Sequence, residues 1–263
     1  MATIELHDLY SVIVDELTET RKYISIWRDP LIACARADDA LFFKLKDAVA
    51  DDHLLPSDLL EGARSVIVYF LPFTRDVGID NASAHPIASK LWAKAYVETN
   101  ALIARINERL ARYLSLYGYR AAVTPATHNF DAERLISRWS HKHIGFIAGL
   151  GTFGLHRLLI TSAGCCGRLG SIVTDAYVEP SRRPDIEFCL EKRGIRCRKC
   201  ASRCPVNALS SDGNFKRHDC YRVLLNNDRH HSDLPLTDVC GQCSCEVPCS
   251  YGVPNYRAPQ EPL

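Results

Sequence analysis

Residues 197–205 read CRKCASRCP, a run in which the cysteines are separated by two and then by three residues and the last is followed by proline. A gap of two residues lets one tight loop present successive thiolates to neighbouring metal ions. Proline suits the first turn of a helix, where its missing N–H would have no partner in any case. The run therefore predicts a metal-binding loop that leads into a helix.

The spacing Cys197-x2-Cys200-x3-Cys204-Pro205 matches the last three cysteines of the run Cys-x2-Cys-x2-Cys-x3-Cys-Pro of bacterial ferredoxins. In that run the fourth cysteine binds the other of two iron–sulfur clusters. Gly194 stands where the first cysteine is expected, and Cys189 is the obvious substitute. If Cys189 cannot reach, the first cluster would hold three irons.

Further cysteines downstream can complete two clusters. Two 4Fe–4S clusters need eight thiolates, and nine of the twelve cysteines lie from Cys189 to Cys249. We assign one cluster to the first cysteine set, which consists of Cys189, Cys197, Cys200 and Cys249, and the other to the second cysteine set, which consists of Cys204, Cys220, Cys240 and Cys243. Cys245 competes with Cys249 and ranks second, because a single residue separates it from Cys243. Structural zinc on the two Cys-x2-Cys pairs, and cysteines that bind no metal, are the alternatives.

The uneven distribution of cysteines divides the chain into two predicted domains. The segment Glu179–Pro184 contains two prolines and three charged residues and reads as the boundary. We expect a larger α/β body over residues 1–180 and a cysteine module over residues 181–257.

The body shows both helical and strand patterns. An apolar spacing of three and four residues predicts helices from about Tyr10 to Leu17 and from about Trp92 to Tyr117, the second with Ser89 as its N-cap and Gly118 as its stop. Residues 63–71 (ARSVIVYFL) are rich in apolar and β-branched residues without alternation and predict a strand that is covered on both faces. A strand at 119–124, a helix at about 131–147, and a hairpin of the runs 157–161 and 171–174 complete the prediction.

Composition excludes several classes of protein. The chain has 263 residues, of which 47% are hydrophobic and 24% charged, so it can bury a core and is not disordered. The formal net charge of +1 gives no overall attraction to nucleic acid or membrane. The longest apolar stretch, Ser65–Phe73, is too short to span a bilayer. Because the N-terminus is acidic and amphipathic, we expect a cytoplasmic protein, in which cysteines serve as metal ligands.

A glycine-rich loop, Gly149-Leu-Gly151-Thr-Phe-Gly154, matches G-x-G-x-x-G, a pattern typical of dinucleotide binding. In that motif the loop runs from a strand into a helix, whose N-terminus meets the pyrophosphate. Here the predicted order is helix, loop, strand, which disfavours NAD.

Four stretches together identify a family resemblance: AGLGTFGLHRLLIT (148–161), GSIVTD (170–175), ARSVIVYFLPF (63–73) and the cysteine runs. They resemble the epoxyqueuosine reductase family, which is related to the corrinoid reductive dehalogenases. The resemblance covers most of residues 60–250. It implies an α+β fold, with a nitroreductase-like α/β sandwich body that binds cobalamin and a ferredoxin-like module that binds two 4Fe–4S clusters. The corrin-binding residues implied by analogy are Gly149, Leu150, Gly151, Thr152, Phe153, Gly154, Ser171 and Thr174.

The resemblance also implies a function, a cobalamin-dependent iron–sulfur reductase. In the family an aspartate about a dozen residues before the glycine loop supplies a proton, but this chain reads LISRWSHKHIGFIAGLG at that place. The candidate catalytic residues nearby are His141, His143, Asp131 and His128, although surface or core roles remain open for the histidines. His141 and His143 are two residues apart and should point to different faces of a helix.

The expected partners are a low-potential electron donor of the flavodoxin or ferredoxin type and a substrate that is either a small molecule or carried on tRNA. A basic patch before Cys204 could receive an acidic donor or a phosphate: Arg182, Arg183, Lys192, Arg193, Arg196, Arg198, Lys199 and Arg203. No membrane partner is expected. Two other functions stay open, a corrinoid chaperone or reductive activator and a plain two-cluster electron carrier.

Overall fold

The computed structural model describes residues 3–125, 130–210 and 214–255. The helices are α1 (Leu6–Arg21), α2 (Ala40–Ala48), α3 (Pro56–Leu59), α4 (Arg75–Ser83), α5 (Lys90–Leu116), α6 (His141–Ile147), α7 (Lys199–Ser202) and α8 (Arg217–His230). The strands are β1 (Leu31–Arg36), β2 (Ser65–Pro72), β3 (Ala121–Val123), β4 (Phe130–Asp131), β5 (Ile136–Ser137), β6 (Gly151–Phe153), β7 (Leu159–Thr161) and β8 (Gly167–Thr174). Single 3-10 turns cover Glu191–Arg193 and Gln242–Ser244. The predicted mixture of helix and sheet is confirmed.

A central antiparallel sheet has the strand order β1-β2-β8-β3. All eight residues of β2 are buried, and Ile67 of β2 pairs with Ile172 of β8. Alternate side chains of β2 enter different cores, Ile67 in the core beneath α1 and α5 and Val66 and Val68 in the core with α2 and α6. The prediction of a strand covered on both faces is confirmed, which explains why its sequence shows no polar alternation.

The long helix α5 begins and ends where its sequence predicts. The Ser89 hydroxyl accepts a hydrogen bond from the Trp92 backbone N–H. Gly118 follows the helix with a φ of +81°, a conformation that costs glycine little and so ends the helix. The packed face of α5 carries Trp92 and Tyr96 toward the cysteine-rich part of the chain.

The predicted helix at 131–147 is wrong in its first half. The structure forms the short hairpin β4–β5 there, and only His141–Ile147 is helical. Asp131 explains the difference, because its side-chain Oδ1 accepts hydrogen bonds from the backbone N–H groups of Glu133 and Arg134 and closes a turn. Leu135 then adopts a φ of +53°, outside the helical region.

The predicted hairpin of 157–161 with 171–174 is also wrong. β7 pairs with β6, whereas β8 joins the central sheet between β2 and β3. Both runs are apolar enough to be strands, but sequence spacing alone does not reveal which partner each strand finds. The order of the glycine loop, from helix α6 into strand β6, is as predicted.

The cysteine-rich segment packs closely on the body. Asn81 donates a side-chain hydrogen bond to the Cys240 carbonyl at 3.0 Å, and Gln242 donates one to the Asn81 carbonyl at 2.7 Å. Val239 belongs to the same core as α5. Among the described residues, no helix combines the length and the apolar character needed to cross a bilayer.

Candidate functional site

The first cysteine set lines one small cavity. Cys189, Cys197, Cys200 and Cys249 all form its wall, together with His156 and other residues. Cys200 lies on α7, and Cys197 directly precedes that helix, after a turn in which Gly194 has a φ of +79°. Cys189 thus lies at the cavity although the usual first cysteine is missing from the run.

The second cysteine set lines a neighbouring, larger cavity of about 370 Å³. Its members are Cys204, two residues after α7, Cys220 on α8, Cys243 in the turn Gln242–Ser244, and Cys240 two residues before that turn. Gly241 permits this turn, since a Cβ there would overlap the indole of Trp92. This volume lies within the range of small-molecule sites.

The structure separates Cys249 from its competitor Cys245. Cys245 is fully buried and lines neither cavity. Its sulfur accepts a hydrogen bond from the Asn81 amide at 3.3 Å. Burial alone would raise the pKa of Cys245, but hydrogen bonds from Cys166 and Asn81 outweigh it, so that the pKa is lowered. Cys245 is therefore held by the body.

The cysteines of the body have different environments. Cys34 is fully buried in the core beneath α1 and α5. Cys165 lies between β7 and β8, where its Sγ is 3.9 Å from the Cys249 Sγ. The side-chain donors of His156, Cys165 and Cys249 lie within 4.8 Å of one another and form a group able to hold a metal ion. The body therefore supplies His156 to both cavities and Cys165 to the large one.

The donor set fits an iron–sulfur cluster at each cavity. Thiolate sulfur is the ligand that such clusters require, and at least four cysteines line each cavity, with Cys165 as a fifth at the large one. Burial raises the pKa of Cys200 to about 12 and that of Cys220 to about 11. Cluster binding would consequently release thiol protons. Tetrahedral zinc would use the same thiolates, so metal analysis is needed to separate the two.

The large cavity is also lined by four polar residues that the sequence did not point to: Tyr96, Lys142, Arg168 and Asp238. The Tyr96 hydroxyl donates a hydrogen bond to the Asp238 carboxylate at 2.7 Å. The Arg168 guanidinium lies 4.2 Å from the centroid of the Tyr96 ring, and Lys142 donates a hydrogen bond to the Arg157 carbonyl. Burial lowers the pKa of Lys142 to about 8. No local motif marks these residues, because they come from four distant segments.

The predicted catalytic residues lie outside both cavities. Asp131 is exposed in the β4–β5 turn, and His128 lies outside the described residues. His143 packs its ring 4.8 Å from that of Phe153. His141 instead meets the Ser171 hydroxyl at 2.9 Å and the Pro125 carbonyl at 3.0 Å. The two histidines do point in different directions, but neither lines a cavity.

His141 is part of a directed hydrogen-bond chain. The Trp139 indole N–H donates to the Ser171 hydroxyl at 3.0 Å. Since a carbonyl oxygen can only accept, the Nε2 of His141 donates to Pro125 and its Nδ1 accepts from Ser171. Burial lowers the pKa of His141 to about 4. The neutral imidazole is therefore the folded form, with a structural role.

This depressed pKa predicts a loss of stability in mild acid. Below about pH 6.5 the unfolded chain takes up a proton at His141 that the folded chain does not, so stability present above that pH is lost as the pH falls toward 4. Between pH 6.5 and 5.5 the wild-type protein should lose about 1 kcal/mol more of its unfolding free energy than His141→Gln does. Urea unfolding at both pH values measures the difference. An unchanged pH dependence in the variant would contradict a neutral, partly buried His141.

The residues implied for a corrin make contacts within the protein. A Cβ at Gly149 would approach the Arg182 backbone, and one at Gly151 would overlap the Ile160 carbonyl oxygen. Leu150 is buried in the core, and the Thr152 hydroxyl accepts a hydrogen bond from the Phe188 N–H at 2.7 Å.

The remaining implied corrin residues are also engaged. Phe153 stacks with His143 and Phe146. Thr174 is buried, and its hydroxyl donates to the Arg120 carbonyl at 2.8 Å. Of the implied residues, Gly149, Leu150, Gly151, Thr152, Phe153, Gly154, Ser171 and Thr174, none lines the large or the small cavity. These residues do not fit a corrin, and the glycines serve close packing of the chain.

The basic patch is partly neutralised. Arg198 pairs with Glu191 at 3.1 Å, and Arg203 donates a hydrogen bond to the Gln242 side chain at 2.9 Å. Lys192, Arg196 and Lys199 remain exposed. The positive surface beside the first cysteine set is therefore smaller than the sequence count indicates.

Comparison with known proteins adds the evolutionary context. The epoxyqueuosine reductase of Bacillus subtilis has a similar structure, with a TM-score of 0.56, 16% identity and coverage of 95% of this chain and 68% of that one. An epoxyqueuosine reductase bound to an epoxyqueuosine-modified tRNA-Tyr stem loop gives a TM-score of 0.55, 17% identity and coverage of 95% and 68%. A catabolic reductive dehalogenase gives 0.56 and 19% identity over 85% of this chain and 30% of that one.

In sequence, the chain is 28% identical over 179 residues to a tetrachloroethene reductive dehalogenase of Desulfitobacterium hafniense. The match covers 66% of this chain and only 28% of that protein, so the chain spans less than a third of this relative. No protein-family model matches the sequence. The resemblance to epoxyqueuosine reductases and their reductive dehalogenase relatives, indicated first by the glycine loop and the cysteine runs, is confirmed by the fold.

Proposed function

We propose that the chain is an iron–sulfur oxidoreductase that binds two 4Fe–4S clusters, one on each cysteine set. The observation that carries this proposal is that the first cysteine set lines the small cavity and the second cysteine set lines the neighbouring large cavity, to which Cys165 adds a fifth thiol. The similarity to reductases supports the reaction class. Clusters at these positions would supply single electrons to a ligand in the large cavity.

The protein's own groups suit the large cavity to reduction. Phe70, Trp92 and Leu169 give it apolar walls that exclude water. The Tyr96 hydroxyl carries a proton and is oriented by Asp238, so it is the group placed to protonate a reduced ligand. Arg168 adds a positive charge beside that ring.

Cobalamin is the finer part of the proposal and rests on the resemblance alone. Since the glycine loop, Ser171 and Thr174 are engaged within the protein, a corrin would have to contact other residues. If a corrin binds, a cobalamin-dependent reductase or a corrinoid chaperone is the function. If none binds, the chain reduces another ligand or only carries electrons.

The resemblance and the exposed basic residues also support a division into two domains, an electron donor and two kinds of substrate. We propose a nitroreductase-like body over 1–180 and a ferredoxin-like module over 181–257, with a flavodoxin or ferredoxin as electron donor. The exposed Lys192, Arg196 and Lys199 offer a docking surface for such an acidic donor. A tRNA-borne substrate is supported by the tRNA-bound structural relative, and a small molecule by the apolar and polar side chains that line the large cavity beside the second cysteine set.

The test is an anaerobic reconstitution of the chain with iron and sulfide, followed by metal analysis and EPR spectroscopy. We expect about eight irons and eight sulfides per chain and a reduced-cluster EPR signal. Zinc without sulfide would contradict the proposal. A visible titration of the same sample with cobalamin then separates the functions, since a base-off Co(II) EPR signal appears only if the corrin binds.

A further inference from the structure

His156 lies where the two cavities meet. It occupies the turn between β6 and β7, its side chain is 3% exposed, and it lines both the small and the large cavity. Gly154 makes room for it, because a Cβ at that position would overlap the imidazole. The last glycine of the G-x-G-x-x-G pattern thus serves to admit this histidine.

Backbone contacts fix the tautomer of His156. The Leu158 N–H donates a hydrogen bond to His156 Nδ1 at 3.1 Å. Because Nδ1 accepts, the proton of the neutral ring is on Nε2. That atom faces the Cys249 sulfur at 3.5 Å, so it has a proton to donate to this sulfur.

Cys249 also receives a second donor. The Cys165 thiol lies 3.9 Å from the Cys249 sulfur and acts as the donor of the pair. Cys165 and His156 both direct a polar hydrogen toward the Cys249 sulfur. The Cys249 sulfur is thus held in an environment that favours negative charge.

We propose that His156 sets the reduction potential of the iron–sulfur cluster on the first cysteine set, by donating its Nε2–H to the sulfur of Cys249. The inference rests on the proposed function, because it requires Cys249 to be a cluster ligand. His156 acts through that ligand and is a positioning residue. Cys165 adds a weaker contribution of the same sign, since S–H is a poorer donor than N–H.

The direction of the effect follows from charge. One-electron reduction by an external donor of the ferredoxin or flavodoxin type adds one negative charge to the cluster and its sulfurs, with no proton transferred. Hydrogen bonds to cluster sulfurs stabilise that added charge and raise the reduction potential. The second cysteine set does not share this bond, because the described contact of the imidazole is with Cys249.

The test compares redox titrations of His156→Phe, which keeps ring volume but loses the donor, with His156→Gln, which retains an N–H. We expect full iron content in both. In His156→Phe the equilibrium constant for reduction of one cluster should fall about tenfold, which lowers its reduction potential by about 59 mV for one electron. The potential of the other cluster should not change. The shifted EPR signal should be the one that Cys200→Ala removes. His156→Gln should restore at least half of the shift.

Two further variants keep the result interpretable. His231→Gln alters another buried histidine, whose Nε2 meets the Ala88 carbonyl and no sulfur, so neither potential should move. Cys165→Ala should shift the same cluster by a smaller amount, and serves if His156→Phe does not fold.

The remaining outcomes would overturn the role of His156, or that role together with the proposed function. Full iron with both potentials unchanged, or equal shifts of both clusters, would overturn the role of His156 and leave the proposed function intact. Loss of iron from one cluster in His156→Phe would show a ligand or structural role instead. A wild-type chain that binds no clusters would overturn both proposals.

Discussion

Replacing Cys200 by alanine is expected to remove about half of the iron from the reconstituted protein, about four atoms per chain. Cys200 is buried on α7 and faces the same cavity as Cys189, Cys197 and Cys249. Without its sulfur, three thiolates remain for a cluster that needs four ligands. Iron and sulfide analysis measures the loss, and EPR spectroscopy shows which of two signals disappears.

Matched cysteine variants make this result specific. Cys245→Ala and Cys34→Ala also remove buried thiols, but neither residue lines a cavity. Both variants should keep all of their iron. Equal iron loss from Cys245→Ala and Cys200→Ala would mean that the assignment of the first cysteine set is incorrect.

A Cys189 variant tests whether this residue replaces the cysteine that is missing at Gly194. Cys189 is 8% exposed and lines the small cavity, eight positions before Cys197. If it is a ligand, Cys189→Ala lowers the iron content. A wild-type protein with about seven irons, and a Cys189→Ala variant with the same number, would instead indicate a three-iron cluster on the remaining cysteines.

Substituting Gly151 by alanine is expected to destabilise the protein by about 3 kcal/mol, the upper part of the range for overpacking. A Cβ at Gly151 would overlap the Ile160 carbonyl oxygen, which lies on the facing strand β7. Backbone cannot move aside as a flexible side chain can, so β6 and β7 would have to separate. The urea concentration at half-unfolding, followed by far-UV circular dichroism at equal iron content, measures the effect.

Gly118→Ala is the control for this substitution. Gly118 has a φ of +81°, and a Cβ there would meet nothing within 4 Å. Only backbone strain remains, which costs about 1 kcal/mol. If Gly151→Ala is no more destabilising than Gly118→Ala, the loop is not held by this packing, and a ligand-binding role for its glycines regains support.

Local patterns in the sequence predicted much of the fold. The ends of α5 were predictable because Ser89 and Gly118 act on neighbouring backbone groups. The burial of β2 was predictable because a strand covered on both faces has no polar side. The helix at 131–147 was predicted wrongly, since Asp131 closes a turn that competes with helical hydrogen bonds.

The candidate site was predictable only in part. The two cysteine sets assigned from the spacing line two separate cavities, because a tight loop presents its thiols to one place whatever surrounds it. The catalytic candidates His141, His143 and Asp131 were chosen for their nearness in sequence to the glycine loop. Their side chains meet other parts of the body, so nearness in sequence did not place them in a cavity.

The sequence by itself determined the residues that act through their immediate neighbours: the cysteine runs, the helix ends and the buried strand. Only the tertiary structure placed Cys249 at a cavity and Cys245 away from both, paired Tyr96 with Asp238, and brought His156 to a sulfur 93 positions away. These contacts join segments that are remote in the chain. Their geometry depends on how the helices pack on the sheet, and no local spacing records it.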